Sequence, residues 1–386
     1  MRTINFYVFF SIFLLLYGLI NYYIFLKGWQ LIPRGSIARP VYAVLFFLAA
    51  ASYIGGRLLE RYTICAISDA AIFTGSFWFA VMTYLFIGFI AVDILLGIGR
   101  LIPPIYDRII SMGQTIRIAA ACIVVVSAVI AVGLGYINAA KPRVRTLDIA
   151  INGKAIPPEG IRLAVASDIH LGVIIGNSRL ENMVREINRM SPDAILLVGD
   201  ILDEDIAPVI EQNLGKTLKG LRAKHGVYAV TGNHEYIGGV DDAVKYLEDH
   251  GIRMLRDSAV LVNGTFYVVG REDRSVTAFT GRRRKDLSEL AEPLERDKPL
   301  IVLDHQPFTL VEAEMNRVDL QISGHTHHGQ VWPFNYITTA VYELSHGYKR
   351  KGDTHIYVSS GFGTWGPPVR VGTVPEILEV VIRPGG

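Results

Sequence analysis

Asp168-Ile-His170, Gly199-Asp200-Ile-Leu-Asp203, Gly232-Asn233-His234-Glu235, Asp304-His305 and Gly324-His325-Thr-His327 are five short polar clusters, each following a short apolar run. Together they offer carboxylates, imidazoles and one amide oxygen. Hard and borderline ligands in this mixture suit divalent ions. A pair of such ions bridged by one carboxylate activates water against a phosphoester. A lone Asp-x-His arises often by chance. Five clusters of one chemical type, all in equivalent local positions, do not.

The equivalent position is the end of a strand. Apolar runs at residues 161–167, 194–198, 227–230, 266–269, 300–303, 320–323, 355–359 and 377–382 read as strands. Helical patterns at 179–190, 208–221 and 241–250 separate the first of them. The runs are continuous rather than alternating, so each strand is expected to be covered on both faces. Asp168, Asp200, Asn233, His305 and His325 fall at or within two residues of the ends of such strands. In open α/β sheets ligands collect at the carboxyl ends of parallel strands, which brings distant positions to one edge.

The first part of the chain has a different composition. Residues 4–26, 40–56, 70–92 and 118–140 are long apolar stretches, the second being the shortest. A spanning helix needs about twenty mostly apolar residues, so these are expected to be four transmembrane helices in a region 1–144, ahead of a catalytic domain 145–386. The first stretch is too long for a signal peptide and lacks a small-residue cleavage site, so a retained anchor is expected. Asp93 is expected at the membrane interface, and 101–117 along it. Of the 38 Lys and Arg, twelve lie in residues 1–145 against four of the 36 Asp and Glu, leaving 26 against 32 beyond. A net-acidic catalytic half is a poor nucleic-acid binder, and no nucleic-acid partner is expected. The basic excess beside apolar spans fits a membrane surface, and membrane lipids are expected partners. Basic residues flank both ends of the spans equally. The absence of cysteine after Cys122 leans the catalytic half toward the extracytoplasmic side.

The five clusters, in this order, resemble the signature of the calcineurin-type metallophosphoesterase superfamily over residues 161–386. The runs Gly324-His-Thr-His-His-Gly-Gln330 and Val358-Ser-Ser-Gly-Phe-Gly-Thr-Trp-Gly366 resemble a membrane-associated branch. That branch includes UDP-diacylglucosamine pyrophosphatase-like enzymes and a vertebrate transmembrane protein with a metallophosphoesterase domain. The chain departs from the branch motif at His328, where the branch carries glycine. The resemblance implies a two-sheet sandwich flanked by helices. It implies that Asp168, His170 and His327 hold one metal, that Asn233, His305 and His325 hold the second, and that Asp200 bridges them. It also implies that His234 is the proton donor to the leaving group, paired with Asp203. The ligand set admits Mn, Fe or Zn.

The expected function is a membrane-anchored hydrolase of phosphoester or pyrophosphate bonds, using metal-activated hydroxide on a lipid-linked or lipid-headgroup substrate such as UDP-diacylglucosamine. Two alternatives compete: an anchored phosphodiesterase of a soluble nucleotide or small diester, and a non-catalytic membrane sensor or transporter with a regulatory metal-binding domain. The spans lack the clustered ionisable residues of an ion pathway, which weighs against the last. Asp304 is expected to be structural, and Glu235 to hold its loop through hydrogen bonds. His225, His250, His346 and His355 are expected on the surface or in loops. The Arg282–Lys285 run reads first as a solvated face and second as a surface for lipid headgroups, and Trp332, Phe334 and Trp365 either wall an acyl chain or pack in the core.

Overall fold

The computed structural model describes residues 2–111 and 113–385. The chain separates into two compact units, one running to Tyr136 and taking in Gly366–Val369, the other made of Ile137–Trp365 and the residues from Arg370 onward.

The first unit is helical. In hydrocarbon every backbone polar group must find a partner within its own segment, which a helix provides. The helices are α1 (Arg2–Leu31), α2 (Ala38–Glu60), α3 (Ala66–Gly99), α4 (Pro103–Ser111) and α5 (Gly113–Ala139). Four are long and apolar enough to cross a membrane: the Ser11–Leu31 part of α1, and α2, α3 and α5. The short second stretch thus lies in a helix of 23 residues. Ile24, Phe46, Met82, Leu85, Phe89 and Val124 pack inside the bundle, while Leu15, Leu45, Leu95, Ile123 and Val129 point outward. A side chain on Gly75 would lie 2.2 Å from the Tyr53 amide nitrogen, so α2 and α3 touch backbone to backbone. Asp93 does not end its helix. Lys27 Nζ stands 2.5 Å from its Oδ1 and the Tyr23 hydroxyl donates to Oδ2 at 2.7 Å, so a paired carboxylate is carried within α3. Part of the 101–117 stretch forms α4, with Pro103 and Pro104 at its start, where a helix needs no N–H.

The second unit holds two six-stranded sheets built from β1 (Arg143–Ile151), β2 (Ile161–Ala166), β3 (Ala194–Val198), β4 (Val227–Val230), β5 (Ile252–Met254), β6 (Ser258–Val262), β7 (Phe266–Gly270), β8 (Leu300–Leu303), β9 (Leu320–Ser323), β10 (Gly347–Lys351), β11 (Thr354–Val358) and β12 (Glu376–Pro384). The first sheet has the order β1-β12-β2-β3-β4-β5, the second β10-β11-β9-β8-β7-β6. β2 to β5 run parallel, as do β7, β8, β9 and β11. Alternate residues of each strand face opposite layers. Leu163, Val165, Leu196 and Val198 meet Val268, Ile301, Leu303 and Ile322 between the sheets. Their neighbours Ala164, Ile195 and Leu197 pack on Leu180, Met183 and Ile187 of the helix Asn177–Arg189. On the far side, Val269 and Val302 pack on Leu287, Leu290 and Ala313. Burial on both faces explains the unbroken apolar runs. The fold is the expected helix-flanked two-sheet sandwich.

Three local expectations are corrected. The stretch 208–221 is two short helices, Ala207–Glu211 and Leu214–Leu218, because Asn213 turns left-handed between them with φ 54°. β1, β5, β6 and β10 were not read as strands: β1 exposes alternating charged residues at a sheet edge, and β5 has only three residues. His355 is not a loop residue. It lies buried in β11, its Nδ1 2.8 Å from the Tyr348 hydroxyl.

Leu196 is fully buried between the sheets. Leu196→Ala is expected to lower stability by about 2–5 kcal/mol, as large-to-small core changes do. Thermal melting in detergent checks this, and an unchanged midpoint would contradict the packing described.

Candidate metal centre

Asp168 follows β2, Asp200 follows β3 and Asn233 follows β4, three neighbouring strands of the first sheet. His305 follows β8 and His325 follows β9 in the second. The turns out of these strands are unusual. Asp168, His170, Asp200, His325 and His327 all have positive φ, between 45° and 69°. Left-handed backbone costs a non-glycine residue about 1–3 kcal/mol, and it persists only where the surroundings over-determine it. Here the loops are laced together. The amide of Asp168 donates to Gly199 O, that of His170 to Asp200 O and that of Gly324 to His305 O. Neighbouring glycines let them close up: a Cβ on Gly232 would lie 2.1 Å from Asp200 Oδ1, and one on Gly324 would lie 2.3 Å from Asp168 Oδ2.

The side chains converge in two trios. Asp168, His170 and His327 each turn a ligand atom into one space, and Asp200, His305 and His325 into another. His170 Nε2 and His327 Nε2 are 3.0 Å apart, and His327 Nε2 is 3.6 Å from Asp168 Oδ1. Asp200 stands between the trios, its Oδ2 3.1 Å from His305 Nε2 and 4.0 Å from His170 Nε2. Its Oδ1 accepts from the His234 amide at 2.9 Å. His305 is held from behind, Nδ1 being 2.8 Å from Val198 O. Asp168 Oδ2 and Asn233 Oδ1 are buried with no hydrogen-bond partner among the described residues. Buried lone pairs left unsatisfied are costly, and a cation satisfies both. The donor set of carboxylate, amide oxygen and imidazole therefore fits divalent ions.

Asp203 Oδ1 lies 3.4 Å from His234 Nδ1, the pair that the resemblance implied. It also lies 3.5 Å from His170 Nδ1, so one carboxylate faces both rings. Those rings meet edge to face, 4.6 Å between centroids. Glu235 does what the sequence reading expected of it. Its buried carboxylate accepts from the amides of Asp200, Ile201, Leu202 and Gly232, at 2.7–3.1 Å.

The charge states of these groups follow from their contacts. Burial would raise the Asp200 carboxyl, but the facing His305 and His234 hold it well below the usual range. Asp203 is likewise lowered by His170 and His234 against its burial. Burial favours a neutral His234, yet the Asp200 charge and the Asp203 contact push it up to about 9. Asp200 similarly raises His305 well above the usual imidazole value. His325 and His327 are lowered, by burial and by the neighbouring His305 and His170 respectively. A neutral ring is the form that binds metal.

Around this centre the other singled-out residues sort clearly. Trp365 is exposed and sits 5.9 Å from His234, edge to face; its backbone is clamped by Gln330 through two hydrogen bonds of 2.9 Å. Trp332 and Phe334 are 43% exposed, so they are not core residues. His328 turns away to Ser345 Oγ, 2.7 Å from its Nδ1. Asp304 is structural, bound by Arg271 and Arg284. Arg283 pairs with Glu289 and Arg282 with Glu272, so three members of the Arg282–Lys285 run serve carboxylates of their own unit. The sequence reading missed Arg370, a fully buried cation behind His327.

Comparison with known proteins agrees with this centre. The calcineurin-like phosphoesterase family model matches residues 161–329, which contain all five clusters. An uncharacterized metallophosphoesterase of Aquifex aeolicus is 34% identical over 233 residues, 59% of this chain and 88% of that protein. The chain belongs to the calcineurin-like metallophosphoesterases. An uncharacterized metallophosphoesterase of Helicobacter pylori is 30% identical over 255 residues, 64% of this chain and 66% of that one. The bovine transmembrane protein with metallophosphoesterase domain is 31% identical over 293 residues, 71% of this chain and 65% of that one. The matches to these last two span just under two-thirds of the relatives' lengths. With four apolar helices and transmembrane-named relatives, this metallophosphoesterase is a membrane protein.

Glu235→Ala removes the acceptor of four backbone amides. At about 1–3 kcal/mol for each unsatisfied group, a loss of about 3 kcal/mol or more is expected. A thermal melt of this metallophosphoesterase checks it, and a loss below about 1 kcal/mol would mean the loop does not depend on that carboxylate.

Proposed function

We propose that this metallophosphoesterase is a membrane-anchored hydrolase of phosphoester or pyrophosphate bonds, acting with two divalent ions on a lipid-linked or lipid-headgroup substrate. The observation that carries the reading is the Asp200 carboxylate set between two ligand trios, 3.1 Å from one histidine and 4.0 Å from another. In this reading Asp168, His170 and His327 hold one ion, Asn233, His305 and His325 hold the other, and Asp200 serves both. Bound divalent ions supply Lewis acidity, which acidifies a water nucleophile and offsets charge on a phosphoryl group.

The protein's own groups do the rest. Asp203 engages His234 at Nδ1, which leaves Nε2 to face a leaving-group oxygen. A carboxylate on the far nitrogen fixes the tautomer and favours the protonated ring, so His234 is the proton donor. The same carboxylate orients His170, tying the acid to one ligand. Glu235 keeps the Gly199–Leu202 turn rigid, so Asp200 presents its oxygens in one orientation.

The lipid part of the reading is supported by location and surface. Membrane-length helices confine the catalytic unit to bilayer encounters, which suits an amphiphilic substrate. The exposed Trp365 ring beside His234 offers an apolar neighbour to the reacting group.

His234→Ala is expected to lower turnover about 10²–10⁴-fold, the usual worth of a positioned acid, with metal content unchanged. Lost metal or unaltered turnover would remove His234 from that role. EDTA is expected to abolish hydrolysis, and added Mn²⁺ to restore it. A lipid-linked pyrophosphate such as UDP-diacylglucosamine is expected to be turned over faster than a soluble chromogenic diester. The reverse order would leave the hydrolase but discard the lipid substrate.

A further inference from the structure

Arg370 is fully buried in the catalytic unit, and it stands outside the clusters that mark the metal centre. Its guanidinium makes two kinds of contact. On one side Nη2 lies 3.1 Å from His327 Nδ1, so the Nδ1 edge of the ring faces Arg370 and Nε2 is turned toward His170 and Asp168. Nη1 donates to Thr373 Oγ1 at 3.3 Å, and that hydroxyl donates to His327 O at 3.3 Å. Arg370 therefore grips His327 at its ring and, through Thr373, at its backbone. That backbone has φ 45° and needs outside bonds to stay there.

The same Nη2 also donates to Gly361 O at 3.1 Å and to Gly363 O at 2.6 Å, and Nε donates to Gly363 O at 3.1 Å. These two glycines belong to the turn after β11 that is laced onto Asp168. The amide of Phe362 donates to Ser167 O, and that of Gly363 donates to Asp168 O at 2.7 Å. A Cβ on Gly361 would lie 2.7 Å from Asp168 Cβ, so the turn has no slack against this residue. One guanidinium thus ties together the elements that place Asp168 and His327. The other trio has supports of its own, His305 resting on Val198 O and Asp200 on the turn gripped by Glu235, and it meets the first where the His325 amide donates to Asp168 Oδ1 at 2.7 Å.

We infer that Arg370 is the positioning residue of one metal site only, the Asp168–His170–His327 site, leaving the Asp200–His305–His325 site to stand without it. This rests on the two-ion reading of the centre. Groups behind metal ligands typically govern affinity by 10–100-fold.

The test uses the full-length chain in detergent, stripped with EDTA and titrated with Mn²⁺, the free ion being read by electron paramagnetic resonance. Wild type is expected to bind two ions. Arg370→Met and Arg370→Lys are expected to bind one ion as wild type does and the other 10–100-fold more weakly, because Met has no donor and one ammonium cannot replace the contacts that Nε, Nη1 and Nη2 make together. Thr373→Val, which cuts only the backbone limb, is expected to weaken the same ion by a smaller factor. Combined with His325→Ala, Arg370→Met is expected to remove the remaining ion. Combined with His327→Ala, it is expected to change nothing further. Equal weakening of both ions, or wild-type affinities in every Arg370 and Thr373 variant, overturns the inference and leaves the two-ion reading intact. A wild-type chain that binds no ion overturns that reading and this inference with it.

Discussion

The centre is organised around a buried carboxylate that cannot be left alone. Asp200 is almost fully shielded from water, and it is flanked by histidines from both sheets. An isolated buried anion costs far more than a domain's stability can bear unless positive charge or hydrogen bonds offset it. The offset comes from His305, His234 and the amide of His234. Those contacts also hold the carboxylate at the meeting place of the two trios. An ionised carboxylate held in this way is also a ligand suited to divalent ions.

Everything nearby limits how this carboxylate can move. Its turn is left-handed at φ 50°, closed by Gly232 and fastened by three amide bonds to Glu235. The two sheets pack so that the ends of β2, β3 and β4 face those of β8 and β9, and ligands more than 150 positions apart share a few ångströms. The rigidity lies in the backbone of the strand ends. The helices and the interior between the sheets supply the stability that holds the strained turns in place. Asp203 extends the arrangement outward, because one carboxylate faces both the His170 and the His234 rings.

Much of this was legible in the sequence because the parallel strands write themselves as unbroken apolar runs, and a polar residue after such a run has one place to go. The eight strands read from those runs are all present, and the polar clusters come together at their ends. Strands at sheet edges escaped, since β1 alternates charged and apolar residues and β10 is mostly basic. The sequence shows Asp93 near the end of an apolar run but not its partners, because Lys27 and Tyr23 lie 66 and 70 positions away. Arg370 left no local signal, being one basic residue 43 positions beyond the ring it faces. Nor does any pattern of residue types announce that five ligands sit in left-handed turns. The basic run at 282–285 reads as a surface for anions, and its arginines 283 and 284 are spent on Glu289 and Asp304.

The most direct measurement is an anomalous difference map from crystals of the Mn²⁺-loaded chain. Two peaks are predicted, one on each side of the Asp200 carboxylate, the first against Asp168, His170 and His327 and the second against Asn233, His305 and His325. A single peak, or peaks that do not share Asp200, would contradict a centre built on that one carboxylate.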